Sequence, residues 1–306
     1  MAGCAASVAL PDLTYLAALT ANMKPAAFRY FAPRTLDEAL DLLAEHGEEG
    51  KVLAGGQSLV PAMNFRLAQP ASLIDINRIG ALDYVREEQG AFCIGALARH
   101  ARFEAPVAEG ALSGFLPRVA RHIAHLPIRV RGTFGGSLAH ADPASEWCLV
   151  AATLDAELVV ASRRGSRRLR ADEYFVAALT TALEPDELLT EIRVPLLGQE
   201  WQTGFAEFSR RAGDYALAMC AACLRFENGR VAEARIGIGG ATDRPHRIVA
   251  AEQLLIGSNA GSDIRREAGN IATEAIEPLE DVQAGAAYRR DLVRAMVERA
   301  LTQAYG

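Results

Sequence analysis

Two short stretches stand out for the chemistry their backbones could do. AGGQS, residues 54 to 58, places Gly55 and Gly56 at the end of an apolar run and follows them with Gln57 and Ser58. TFGGS, residues 133 to 137, repeats the pattern inside IRVRGTFGGSLAHADPASE: a strand-like entry, Gly135 and Gly136, Ser137, then a polar turn. An adjacent glycine pair exposes several backbone N–H groups with no Cβ to block them, and such a concave set of donors suits a pyrophosphate. Gln57, Ser58, Thr133 and Ser137 add side-chain donors at the rim. Either pair alone reads more readily as a tight turn; the two together, each followed by hydroxyl or amide residues, bring nucleotide binding level with that reading.

Other chemistries fit less well. A P-loop needs Lys followed by Ser or Thr after the glycines, and neither stretch has it. The Rossmann fingerprint is missing too, since no G-x-G-x-x-G opens a helix and no acidic residue is read at a strand end about 20 positions on. His140, Asp142 and Glu146 are metal ligands by type, but no fourth ligand stands ready to close the set. His122 and His125 are i and i+3 on a helix expected over LPRVARHIAHL, 116 to 126, and read as solvated or satisfied rather than as a metal pair. Cys220 and Cys223 lie in YALAMCAACLRF, a strand by its pattern, where that spacing sends the thiols to opposite faces. With no second pair for an iron–sulfur cluster, both read as core. SRRGSRRLR, 162 to 170, has no aromatic residues on which bases could stack, and reads as a solvated hairpin.

The elements that must hold these residues have an α+β texture. TLDEALDLLAEHG, 35 to 47, is a helix with Thr35 as N-cap, Glu38 three residues on and Gly47 as C-cap. Strands are expected at KVLAGG, at ASLIDINRI (71 to 79), at AFCIGALARH (91 to 100) and at AELVVAS, the last preceded by a helix over ASEWCLVAATL. A proline, two glycines and polar residues in VPLLGQEWQTG, 194 to 204, mark a domain break. Beyond it come three antiparallel strands turning at Asn228-Gly229, then helices over AEQLLIG, IRREAGNIATEAI and YRRDLVRAMVERALTQA. With 306 residues, 50% hydrophobic and 23% charged, the chain is long enough for two or three domains. The net charge of −6 gives no reason to expect nucleic acid as a partner. No run of about 18 uncharged apolar residues argues for a membrane span. Five cysteines without regular spacing fit a reducing compartment, so a cytoplasmic location is expected. Residues 1 to 22 lack the basic start of a secretory signal and are expected to lie outside the fold, as a disordered extension or an upstream start, with Met23 a natural beginning.

The chain also carries a wider resemblance. KPAAFRYFAPRTLDEALDLLAEHG, KVLAGGQSLVPAMNFRLAQPASLIDINRI, IGALARHA, IRVRGTFGGSLAHADPASE, ELLTEIRVP, FSRRAGDYALA, GIGGATDRPHR and AYRRDLVRAMVERAL, in that order, resemble the FAD-binding medium subunit of the molybdenum hydroxylases. That group includes carbon monoxide dehydrogenase and xanthine dehydrogenase. The resemblance implies a vanillyl-alcohol-oxidase (PCMH) type FAD fold of two α+β subdomains over 23 to 197, divided near residue 80. A C-terminal domain of three antiparallel strands and helices follows over 198 to 306. It puts one flavin motif on Ala54, Gly55, Gly56, Gln57 and Ser58, flanked by Lys51, Val52, Leu53 and Leu59. A second falls on Thr133, Phe134, Gly135, Gly136 and Ser137, with Phe134 where Ile is more usual. It further implies contacts from His140, Asp142, Glu146, Leu189 and Glu207, and Tyr215 beside the flavin ring. An aromatic ring on the flavin face and an acid accepting from ribityl or ribose hydroxyls make physical sense there.

By the same resemblance the chain binds FAD noncovalently and has no catalytic or metal-ligating residues of its own. It would take electrons from a small [2Fe-2S] subunit, reduced by a large molybdopterin subunit where substrate is hydroxylated, and pass them to an external acceptor. A dimer of heterotrimers is the expected assembly. The alternatives are a free-standing FAD-dependent oxidase of the same fold and a non-enzymatic nucleotide-binding module.

Overall fold

A computed structural model describes residues 24–306; the N-terminal extension expected over 1 to 22 lies outside the described residues. Three bodies follow one another along the chain.

The first comprises β1 (Arg29–Phe31), α1 (Leu36–His46), β2 (Gly50–Leu53), α2 (Leu59–Asn64) and β3 (Ser72–Asp75), with the strands parallel in the order β1-β3-β2. Helix α1 starts as its sequence dictates. Thr35 Oγ1 accepts the Glu38 N–H at 3.2 Å, while Glu38 Oε2 accepts the N–H of Arg34 at 2.7 Å. Its Ala39, Leu40 and Leu43 pack on Ile74 and Ile76 from the sheet side. Gly47 does not have the left-handed geometry of a C-cap glycine: its φ is −51°. The residue is small for another reason, because a Cβ there would lie 2.5 Å from the carbonyl oxygen of Pro185.

The second body is a five-stranded antiparallel sheet with helices on its inner face. It contains β4 (Val85–Glu88), β5 (Ala91–Gly95), α3 (Leu112–Ala120), α4 (Leu126–Arg129), α5 (Phe134–His140) and α6 (Glu146–Thr153). It continues through β6 (Glu157–Ser162), β7 (Gly165–Arg170), α7 (Ala171–Tyr174), the small pair β8 (Phe175–Ala177) and β9 (Thr180–Thr181), and β10 (Leu188–Pro195). The sheet order is β4-β5-β10-β6-β7. The helix expected over 116 to 126 stops at Ala120. Ala124 takes a positive φ of 40°, and Pro127 opens the new helix α4, a residue that restricts the one before it. The strand-like entry IRVRG is accordingly a helical turn, and Gly135-Gly136 sit inside α5 rather than after a strand. The basic run is a hairpin, as its sequence reads, and its charges are matched. Arg167 grips Glu187 with two bonds of 2.7 Å, Arg164 meets Asp186 at 2.8 Å, and Arg163 reaches Asp41 on α1 at 2.5 Å.

The third body has β11 (Trp201–Phe208), β12 (Ala218–Glu227), β13 (Arg230–Gly239) and a two-residue β14 (His246–Arg247) in one antiparallel sheet, followed by α8 (Val249–Leu255), α9 (Ser262–Glu274) and α10 (Ala286–Tyr305). The three expected strands therefore gain a short fourth at the edge. Asn228 and Gly229, with φ of 52° and 73°, make the β12–β13 turn. This sheet is covered on both faces. One face joins Trp147 and Leu149 of α6 in the core of the second body, and the other packs on α8, α9 and α10. Cys223 belongs to the first core and Cys220 to the second, so the two thiols do face opposite ways.

Candidate functional site

The first glycine pair ends β2 and turns into α2. Gly56 has φ of +74°, a region that residues with a Cβ seldom adopt. Gly55 is required for a different reason: a Cβ there would lie 2.5 Å from the Arg131 carbonyl oxygen and 2.6 Å from Gly132 Cα. The loop leading to the second glycine pair therefore lies directly against the first. Around this contact the polar groups interlock. Asn77 donates to the Ala54 carbonyl at 2.7 Å, Arg99 donates to Asn77 Oδ1 at 2.6 Å, and Arg99 also donates to the Arg131 carbonyl. Asp75 accepts from Asn77 and, at 2.5 Å, from the Tyr30 hydroxyl. Gly55, Gly56, Gln57, Asp75, Asn77 and Arg131 border a cleft of about 400 Å³. At its wall the backbone N–H groups of Gly55, Gly56, Gln57 and Ser58 find no acceptor among the described residues.

The second glycine element behaves differently. Its N–H groups are occupied: Phe134 donates to Ala98, Gly135 to Ala96, Gly136 to Thr133 Oγ1 at 3.0 Å and Ser137 to the Thr133 carbonyl. A Cβ on Gly135 would lie 2.6 Å from Ala96 Cα, so this glycine serves close packing of α5 on the turn after β5. The expectation of two equivalent donor nests is therefore corrected to one. Gly136 does face the first pair, with Ala54 Cβ 3.9 Å from where its own Cβ would stand. Phe134 is buried and stacks on Trp147 at 4.6 Å, so its ring faces the core rather than the cleft. His100 fixes the loop between the pairs. Its Nδ1 accepts from Trp147 Nε1 at 3.0 Å, and burial lowers its pKa to about 4, which keeps it neutral.

Helix α5, seven residues and so about 10 Å long, leads from this contact to a cluster of acids. His140 ends the helix, half-buried; Asp142 accepts the Ala144 N–H at 2.9 Å in a local turn, and Glu146 opens α6. Glu207 comes in from β11 of the third body. Its side chain is only 2% exposed, and Oε2 has no hydrogen-bond partner. His122 Nδ1 stands 3.8 Å from this oxygen, beyond hydrogen-bond range. Burial pushes the pKa of Glu207 up to about 9 with Glu146 adding to it, and burial pushes that of Glu146 up to about 7. His122 is held below its ordinary value by burial, so it offers no compensating charge. Tyr215, 64% exposed, lies near Asp142 and Glu146 on a loop whose Gly213 leaves room for the His125 ring. His122 thus stands beside Glu207 and His125 beside Gly213, and the two do not share one helix face.

Three expected residues lie apart from these surfaces. Lys51 lines a separate cleft of about 570 Å³ with Glu48, Glu49 and Gln69, and the side chain of Leu189 is buried in the core behind β10. Val52 packs into the core beneath α1, while Leu53 borders the glycine cleft and Ser58 and Leu59 open α2. The sequence reading missed Asp75, Asn77, Arg99 and Arg131. A signal for Asp75 was available. It ends β3 about 20 positions after Gly55, the acid at a strand end judged missing above. Reading the strand through to residue 79 had hidden it in mid-strand.

Residues 26–197 match the family model for the FAD binding domain in molybdopterin dehydrogenase, and residues 203–304 that for the CO dehydrogenase flavoprotein C-terminal domain. This chain belongs to the FAD-binding medium subunits of the molybdenum hydroxylases. It is 40% identical over 283 residues to the 6-hydroxypseudooxynicotine dehydrogenase complex subunit alpha of Paenarthrobacter nicotinovorans, covering 92% of this chain and 96% of that one. It is 39% identical to the caffeine dehydrogenase subunit beta of Pseudomonas sp. strain CBB1, over 92% and 96% of the two chains. A chain of the carbon monoxide dehydrogenase of Hydrogenophaga pseudoflava superposes with a TM-score of 0.89 at 36% identity, covering 92% of this chain and 99% of that one. The medium-subunit fold expected from the sequence is the fold found. Its residues suit FAD: four unpaired N–H groups beside Arg131 are donors of the kind an anionic pyrophosphate takes, and Glu207 carries a buried oxygen without a hydrogen-bond partner. No helix among the described residues is long and apolar enough to cross a membrane.

Proposed function

We propose that FAD spans the two surfaces joined by α5. The pyrophosphate lies against the N–H groups of Gly55, Gly56, Gln57 and Ser58, and the ring system lies beside Tyr215 and Glu207. The four successive unpaired N–H groups carry this reading, because free backbone donors converging on one cleft form a nest that suits an anion. Arg131 adds positive charge at the cleft. Asp75 and Asn77 form its polar floor, with Arg99 holding Asn77 in place. Thr133, Gly135 and Gly136 act from behind, fixing the loop on which the first pair rests; Phe134 and Leu189 contribute from the core.

As a medium subunit the chain is the FAD-carrying part of an oxidoreductase whose [2Fe-2S] clusters and molybdenum cofactor reside in partner subunits. FAD, when bound, supplies the exchange between one-electron carriers and an outside electron acceptor. The residues here hold it and set the charge around it. We place the complex in the cytoplasm as a dimer of heterotrimers that delivers electrons to an external acceptor. The division of the chain at about residues 80 and 197 belongs to the same reading.

Substrate choice lies outside this chain. Relatives of nearly equal similarity belong to enzymes named for 6-hydroxypseudooxynicotine and for caffeine, two different molecules. The test is purification of the chain with its co-expressed partners, followed by an absorption spectrum and native mass measurement. One FAD per chain with a small and a large companion is expected. A folded complex that is colourless at this subunit and takes up no added FAD would overturn the proposal.

A further inference from the structure

Glu207 presents a problem that the chain itself does not solve. Its side chain is 98% shielded, one oxygen lacks any partner, and no Lys or Arg among the described residues pairs with it or with Glu146. The groups facing it are His122 from the loop after α3 and Glu146 from α6, with Asp142 and Tyr215 beyond Glu146. None of these supplies positive charge: His122 is kept neutral by burial, and the others are acids or a phenol. A buried carboxylate in such company is costly, and a buried oxygen left unbonded is costly as well.

We propose that Glu207 meets the bound flavin as a neutral carboxylic acid, donating its O–H to the ring system while Glu146 carries the negative charge of the pair. A protonated carboxyl is both donor and acceptor, whereas a carboxylate only accepts, so the proton widens what the group can bind. It also removes a negative charge from the place where electrons must enter, since a carboxylate beside the ring would oppose reduction. This inference rests on the flavin ring lying beside Glu207, as proposed above. The chemistry is binding only: no bond of the ligand is made or broken, and the proton stays on Glu207.

The charge state gives the inference its signature. Deprotonation of Glu207 at alkaline pH costs the ring its donor and sets two like charges together, so FAD retention falls there.

The test uses the co-purified complex, with FAD per chain measured after gel filtration from neutral to alkaline pH, in the wild type and in Glu207→Gln. Glutamine keeps a donor and an acceptor and cannot ionise. The wild type is expected to lose FAD affinity about tenfold for each unit above about pH 9, and Glu207→Gln to change less than about twofold over the same range. The infrared carbonyl band of a protonated carboxylic acid should be present in the wild type at about pH 8, above the range in which Glu146 holds a proton, and absent there in Glu207→Gln. If that variant does not fold, Glu146→Gln provides a second route: without the neighbouring charge, the carboxylic acid band should persist in a neutral sample and titrate at lower pH than in the wild type. A wild type that binds no FAD at any pH overturns the flavin site itself. A wild type that binds FAD but shows the same alkaline loss in Glu207→Gln, or no acid band, or no shift in Glu146→Gln, overturns this inference alone.

Discussion

At Gly55 the decisive fact is a distance to another loop, not to a ligand. A methyl group there would lie 2.5 Å from the Arg131 carbonyl oxygen, so Gly55→Ala must push apart the two loops that frame the cleft. Overpacking of this kind costs about 1–3 kcal/mol, and we expect FAD affinity to fall by about tenfold or more while far-ultraviolet circular dichroism stays unchanged. Gly56→Val should do the same through its φ of +74°. Retained stoichiometric FAD in either variant would show the loop contact to be unimportant. Glu207 offers a second check at this scale, in the FAD-free chain. Its pKa is raised on folding, so the folded state holds a proton that the unfolded chain releases above the ordinary carboxylate range. Stability therefore falls as pH rises from about 4.5 toward about 9, and Glu207→Gln should remove that fall. The gain should be roughly 2 kcal/mol or more at the alkaline end, read as a higher melting temperature, and nearly nothing at about pH 4. The residues of the two surfaces were legible as types: glycines, a tyrosine and acids. Their division of labour was not, because whether a glycine N–H is free or bonded depends on partners far along the chain, such as Ala96 and Ala98 for the second pair.

Among the elements, α5 and the loops flanking it do most of the positioning. The loop before α5 rests on His100, which is neutral and accepts from Trp147. A buried neutral imidazole with a pKa near 4 favours folding over the unfolded chain only while the latter stays unprotonated. Its contribution is thus complete above about pH 6.5 and lost as pH falls toward 4. Melting temperatures should drop on acidification from about pH 6.5 to about pH 5, and His100→Gln should flatten this slope while lowering stability at neutral pH by roughly 1–3 kcal/mol for the disturbed buried hydrogen bond. An equal slope in the variant would assign the acid sensitivity elsewhere. Local signals served well where one element decides its own boundary, as with Thr35 and Glu38 at the start of α1. They failed where a turn intervenes, as in the reading of one helix over 116 to 126, since Ala124 and Pro127 split it. They failed again at β3, whose end at Asp75 is set by the Asn77 turn rather than by apolar pattern.

Over the whole molecule much of the strand–helix alternation could be read from the sequence. The packing of bodies on one another could not, for no periodicity records which of two apolar faces meets which neighbour. Gly204 shows the tolerance at one such contact: a Cβ there would overlap the Ala300 carbonyl of α10. Gly204→Ala should destabilise the chain by at least about 3 kcal/mol, measured by denaturant unfolding, and an unchanged midpoint would mean that α10 shifts freely on the sheet. The sheet on which α10 rests has a further implication. Since β12 sends Cys223 into one core and Cys220 into the other, it serves as a shared wall between two compartments. A chain stopped after β10 would leave Trp147 and Leu149 facing water, and one begun at β11 would bare the other side of the same wall. The halves should therefore melt in a single calorimetric transition and be unstable as separate fragments, so that gene-level rearrangement can exchange the subunit whole but not divide it.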